Sequence, residues 1–208
     1  METRVLFAAA GLKLEGMLSS GGRFGAVLCH PHPMYGGSMD NNVVHAAAGA
    51  LQRSGWTTLR FNFRGVGRSQ GSTGDGTQEV EDVTAAIMFL NGQEGIPPER
   101  TVLVGYSYGA WVGLRALERN QAILGWVAIA PPLGIWDFSF AKGLGGRKLI
   151  LAGDEDEFCP VPELRRFVDT LPDPKESSIL AGADHFFWGQ EAAISRALEV
   201  VTKEWAVV

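Results

Sequence analysis

Two cysteines in 208 residues, Cys29 and Cys159, are too few for a disulfide framework, and both sit among apolar or turn residues that suit ordinary free thiols. An excess of positive charge is missing as well. The 18 basic residues stand against 23 acidic ones, a net charge of −5, which gives no electrostatic reason to expect nucleic acid or an anionic membrane as partner. No apolar run reaches the length that spans a bilayer. The stretch from Val5 to Leu12 is interrupted by Gly11 and lacks a cleavage signature, so no signal peptide is evident. Internal repeats and low-complexity linkers are absent too. Together these absences exclude a coiled coil, a membrane bundle, a disordered tail and a disulfide scaffold, and they make the cytoplasm the expected compartment.

What is present fits one globular domain over residues 1–208: 46% hydrophobic residues, 10% aromatic and 20% charged. Glycine is abundant at 27 residues without a period, which implies many tight turns between short elements. Short runs rich in Val, Ile and Leu recur at Ala26 to Cys29, Thr57 to Phe63, Thr101 to Gly105, Gly125 to Ala130, Lys148 to Ala152 and Ser178 to Ala181. They read as strands buried on both faces. Helical spacing fills the intervals: Asn41 to Arg53, Thr77 to Asn91, Tyr108 to Arg119, Val161 to Thr170 and Gln190 to Trp205. In the second of these Thr77 is the expected N-cap, and Glu79, Glu81 and Asp82 crowd the positive end. Arg4 to Ala8 and Leu12 to Ser19 flank a glycine turn and read as an antiparallel hairpin at one edge. The pattern predicts an α/β fold with a mostly parallel central sheet of about eight strands and helices on both faces.

The sharpest chemical signal is Gly105-Tyr106-Ser107-Tyr108-Gly109, a G-x-S-x-G between a β-branched strand and a helix. The bare pattern is weak; the strand before it and the helix after it give it meaning. A turn that sharp leaves no room for side chains at Gly105 and Gly109, and it holds Ser107 strained with its hydroxyl exposed. A serine hydroxyl is a poor nucleophile near neutral pH, so a base and an orienting carboxylate must follow. Downstream strands end in Gly153-Asp154-Glu155-Asp156-Glu157-Phe158-Cys159-Pro160 and in Gly182-Ala183-Asp184-His185.

With Ser, Asp and His in that order, the chain resembles the α/β-hydrolase superfamily, in particular small cap-free serine hydrolases of the dienelactone-hydrolase-like group that bear a His-Pro-His-Pro segment after the third strand. The resemblance implies Ser107 as nucleophile, His185 as base and Asp156 as the orienting acid, with Asp154 the alternative in the same turn. It implies an oxyanion hole formed by the backbone amides of Tyr108 and His32; Met34 and Tyr35 remain alternatives for the second donor, since Pro31 stands where the wider superfamily has glycine. His30 and His32 lie near the site, but no third ligand of suitable spacing makes them a metal centre, and no cofactor is expected. The 17 residues from Pro131 to Arg147 leave no room for a lid domain. Their aromatic patch, with the loops around it, suggests a substrate pocket from Met34, Tyr35, Leu133, Trp136, Phe158 and Phe186. Arg64-Gly65-Val66-Gly67 imitates a dinucleotide loop, but no helix begins at it, so it reads as a turn in which Arg64 is a candidate substrate contact.

The expected activity is hydrolysis of small or medium carboxylic esters through an acyl-enzyme, with a small-molecule ester as the partner. Amide, peptide or thioester cleavage by the same residues is the alternative within the enzyme class. A non-catalytic member of the fold that binds a small ligand is the alternative outside it. The oligomeric state is not legible.

Overall fold

The computed structural model describes residues 1–118 and 122–206. One eight-stranded sheet organises them, in the order β1-β2-β4-β3-β5-β6-β7-β8. The strands are β1 (Glu2–Ala9), β2 (Leu12–Ser19), β3 (Gly25–Cys29), β4 (Thr57–Phe61), β5 (Thr101–Tyr106), β6 (Gly125–Ile129), β7 (Arg147–Gly153) and β8 (Lys175–Leu180). The helices are α1 (Asn42–Arg53), α2 (Glu79–Glu94), α3 (Tyr108–Leu117), α4 (Val161–Thr170) and α5 (Glu191–Trp205). β1 pairs antiparallel with β2, and β2 antiparallel with β4; every later pairing is parallel.

The continuous apolar runs are explained by burial on both faces, since every residue of β3, β5 and β6 is buried. Val43, Val44, Ala47 and Leu51 of α1 pack with Ile194, Leu198, Val201 and Trp205 of α5 over one face. Val80, Val83, Ile87 and Leu90 of α2, with α3 and with Leu164 and Phe167 of α4, cover the other. Burying such a side chain is worth roughly 1.5–3 kcal/mol, so the two helical layers hold the sheet from both sides. No lid domain is present between β6 and β7, where residues 130–146 run close to the sheet through Leu133, Phe138, Ala141 and Leu144.

Four local expectations need correction. α2 begins at Glu79, and Thr77 does not cap it: the Glu79 carboxylate instead accepts the Gly74 and Gly76 amides at 2.6 and 3.0 Å, tying the incoming loop to the helix start. Glu79 and Asp82 are therefore buried rather than spread at a solvated helix end. β4 stops at Phe61 because the Phe63 amide leaves the ladder and donates to His30. β8 begins at Lys175, before the apolar signal, and as an edge strand it is not buried on both faces: each of its residues is half-buried or exposed. The helix expected to run through Arg119 is helical from Tyr108 to Leu117, and Arg119 lies outside the described residues.

Candidate active site

The chain leaves β5 through Tyr106 and enters α3 at Tyr108, with Ser107 between them at φ 54° and ψ −119°. A non-glycine residue at positive φ is strained and persists only where its surroundings over-determine it. The flanking glycines show how. A Cβ at Gly105 would strike the backbone of Gly109 and Ala110, and one at Gly109 would strike the carbonyls of Cys29 and His30. The elbow is thus wedged against the end of β3, and the strain projects the serine hydroxyl off the sheet.

Ser107 Oγ lies 2.9 Å from His185 Nε2. His185 Nδ1 in turn lies 2.8 and 3.0 Å from the two Asp156 carboxylate oxygens. All three residues are buried, Ser107 at 9%, His185 at 8% and Asp156 at 3% exposure, so water competes little for these bonds. Asp156 Oδ1 also accepts the Phe158 and Cys159 amides at 2.8 and 2.9 Å, an arrangement that holds the carboxylate still. Asp154, the alternative acid, turns the other way and accepts the Gly182 amide at 2.6 Å. The loop carrying His185 is shaped by Asp184, whose Oδ1 accepts the Phe186 and Phe187 amides. It is anchored by Tyr106, whose hydroxyl donates to the His185 carbonyl at 2.9 Å. Burial raises the Tyr106 phenol well above its ordinary range, so it remains a donor.

The loop after β3 closes the other side. The His32 ring stands against Tyr108 at 4.5 Å and against Tyr35 at 5.4 Å. Among the described residues, neither the His32 nor the Tyr108 amide is engaged by a backbone or side-chain acceptor. Two unspent donors beside a serine hydroxyl are what stabilisation of an oxyanion requires. Met34 donates its amide to its neighbour His32 Nδ1 and Tyr35 donates its amide to the His32 carbonyl, so these two alternatives are already committed.

A cleft of about 510 Å³ opens over Ser107. Of the expected pocket residues, Tyr35, Trp136, Phe158 and Phe186 line it together with His32 and His185. Met34 and Leu133 do not: Met34 points to solvent at 81% exposure, and Leu133 is half-buried against the core. Phe138 and Phe140 also turn inward, against Phe167 and Arg115 respectively. Arg64 is no cleft residue either, because its guanidinium is buried on Asp82, with an N–O contact of 2.7 Å. Ile135, Asn41 and Tyr106 also line the cleft, and none of them was among the expected pocket residues. For Tyr106 a signal existed, since it is the residue before the nucleophile in the G-x-S-x-G turn. Among the described residues, no group of three His, Cys, Asp or Glu side chains is placed to hold a metal ion. No helix among them is long and apolar enough to cross a membrane.

The arrangement can activate a hydroxyl, hold the imidazolium that results and receive an oxyanion, which is the chemistry of acyl transfer. Comparison with known proteins agrees on the class. Residues 34–147 match the family model described as serine aminopeptidase, S33. An uncharacterized protein of Rickettsia prowazekii is 36% identical over 181 residues, covering 83% of this chain and 76% of its own. A serine hydrolase without lid from Xanthomonas campestris superposes with a TM-score of 0.89 at 30% identity, covering 98% of this chain and 94% of its own. A thiohydrolase of Arthrinium phaeospermum is 33% identical over 81% of this chain, which spans 55% of its length. The chain therefore belongs to the lidless serine hydrolases of the α/β-hydrolase superfamily, within the family described as serine aminopeptidase, S33.

Proposed function

We propose that the protein hydrolyses small or medium carboxylic esters through an acyl-enzyme on Ser107. The observation that carries this reading is the unbroken relay from Ser107 Oγ through His185 to Asp156, at 2.9 and 2.8 Å. His185 Nε2 takes the serine proton as Oγ attacks the carbonyl carbon, and Asp156 holds the ring and offsets the imidazolium charge. The amides of His32 and Tyr108 receive the carbonyl oxygen as it gains charge. Collapse of the tetrahedral intermediate expels the alcohol, which leaves with the proton from His185. Water, deprotonated by the same nitrogen, then releases the acid and restores Ser107.

Substrate class follows from the lining. An aminopeptidase substrate brings an α-ammonium, yet among the described residues no carboxylate lines the cleft, Asp156 being committed behind His185. Burying an unpaired cation there would cost several kcal/mol. Pro132, Ile135, Trp136, Phe158 and Phe186 instead favour a neutral, apolar acyl or leaving group, and the cleft volume suits a medium-sized molecule. Thioester cleavage is the second reading, favoured by the likeness to a protein named as a thiohydrolase. Two buried free thiols suit a reducing compartment, and the cytoplasm is the proposed location. The test is a screen of p-nitrophenyl esters of increasing chain length beside anilides and thioesters, on wild type and Ser107→Ala. Ester turnover that vanishes in the variant is expected; equal rates in the two proteins would undo the reading.

A further inference from the structure

His30 stands at the start of the loop after β3 and takes no part in the proton relay. It has 0% exposure, and each ring nitrogen has one partner. Nε2 lies 3.1 Å from the Phe63 amide, which can only donate, so Nε2 is the bare nitrogen. The ring proton therefore sits on Nδ1, 2.7 Å from the Pro31 carbonyl oxygen, which can only accept. The surroundings select one neutral tautomer.

The Pro31 carbonyl and the His32 amide belong to a single peptide unit, and that unit is trans. In a planar trans peptide the C=O and N–H point in opposite directions, so a bond that fixes the first aims the second. Donation to the carbonyl also polarises the unit and strengthens its N–H as a donor. On the other side of His32, its carbonyl accepts the Tyr35 and Gly37 amides, both at 3.1 Å. Gly37 allows this approach, since a Cβ there would collide with the Pro31 and His32 carbonyls. His32 is thus pinned through both of its peptides, and the pin on its amide side is His30.

We propose that His30 is the positioning residue of the oxyanion hole: anchored on the Phe63 amide, it holds the Pro31 carbonyl and thereby aims the His32 N–H at the developing oxyanion. The assignment rests on the acyl-transfer reading of Ser107. His30 touches neither substrate nor reacting atoms; it acts through one shared peptide plane.

The test uses two isosteric replacements on the full-length protein. His30→Gln places an amide where Nε2 stands and has nothing to offer Pro31, whereas His30→Asn places an amide where Nδ1 stands and can still donate to Pro31. His30→Gln is expected to lose on the order of 10²-fold in kcat, the usual effect of one missing oxyanion donor, with KM little changed. An alkyl boronic acid, whose tetrahedral adduct on Ser107 puts an oxygen in the same place, should weaken by the same factor. His30→Asn should recover most of both. A drop in thermal stability with kcat and boronate affinity unchanged would overturn the proposal, as would an Asn variant no better than Gln. Imidazole ¹⁵N spectra of the wild type decide it without any variant: Nδ1 protonated and Nε2 bare supports it, and an Nε2–H ring refutes it. Ser107→Ala is measured alongside. If that variant keeps ester turnover, the acyl-transfer reading falls and takes this proposal with it; if it is dead while His30→Gln matches wild type, the His30 assignment alone falls.

Discussion

Asp154 and Asp156 stand two residues apart in one turn, and their carboxylates serve different partners: Asp156 holds His185 Nδ1 at 2.8 Å, while Asp154 accepts the Gly182 amide at 2.6 Å. Asp156→Asn presents the imidazole with an amide and favours the wrong tautomer, so turnover should fall by roughly 10⁴. Asp154→Asn should cost little turnover and at most about 1 kcal/mol of stability from a weakened loop bond. Steady-state kinetics and urea denaturation on the two variants separate these effects. Reversed penalties would assign the acid to Asp154.

Ser107 and His185 share one hydrogen bond and one step, so their removal should not add. Ser107→Ala and His185→Ala are each expected to lose on the order of 10⁶ in kcat, and the double variant about the same. Folding should survive, because neither side chain fills the core. Multiplicative losses would show that the two residues act independently.

Much of the fold is legible in the sequence. The alternation of apolar runs with helical spacing is a local property of the chain, and it anticipated the sheet, the hairpin and the helices. The meeting of Ser107, His185 and Asp156 was legible in two ways: the elbow shows in its two glycines between strand and helix, whereas the choice of Asp156 over Asp154 and of His185 rested on the resemblance. What failed depends on the direction of a side chain or on a distant partner. Leu133 and Trp136 lie three residues apart in the same aromatic stretch and both pack against the core, yet only Trp136 also lines the cleft. Thr77 had the right type for a cap, but Glu79 captured the loop amides from within the helix. Asp82 looked like a helix-end charge until Arg64, eighteen positions earlier, proved to be its mate.

That Arg64–Asp82 pair gives the third prediction. Asp82 is fully buried, and its two oxygens take the Arg64 Nε at 3.1 Å and a terminal nitrogen at 2.7 Å. Asp82→Ala leaves a buried guanidinium with its main partner gone, and such a break typically costs about 3–5 kcal/mol. The loss should appear in denaturant unfolding, with turnover per folded molecule nearly intact. Unchanged stability with a raised KM would instead make Arg64 a substrate contact.

Cys29 ends β3, and Cys159 follows β7; β5 and β6 lie between those strands. At ~4.8 Å per strand their ends are roughly 14 Å apart, against the ~7 Å between Cα atoms that a disulfide tolerates. Both thiols are free and buried, and burial pushes each well above its ordinary range, which disfavours the thiolate that would react. Denatured, unreduced protein should titrate with two thiols per chain, and the native protein should react slowly. No titratable thiol in the denatured chain would contradict the strand order itself.

His30 provides the pH prediction. Burial first, and then the nearby His32, hold its ring below the usual imidazole value, down to about 4, against the Pro31 carbonyl bond that favours the proton. In the unfolded chain the same ring titrates near ~6.5. Between those two values the unfolded state binds a proton that the native state refuses, so stability rises with pH across the window and falls as pH drops. The contribution is complete above ~6.5 and is lost at up to about 1.4 kcal/mol per unit on the way down to ~4. His30→Asn removes this titration while the carboxylates and the other histidines stay common to both proteins and largely cancel in the difference. The stability advantage of wild type over His30→Asn should therefore shrink steadily in urea unfolding from pH 7 to pH 4.5. A constant offset over that range would mean that the ring titrates alike in both states, and that it is not sealed between Pro31 and Phe63.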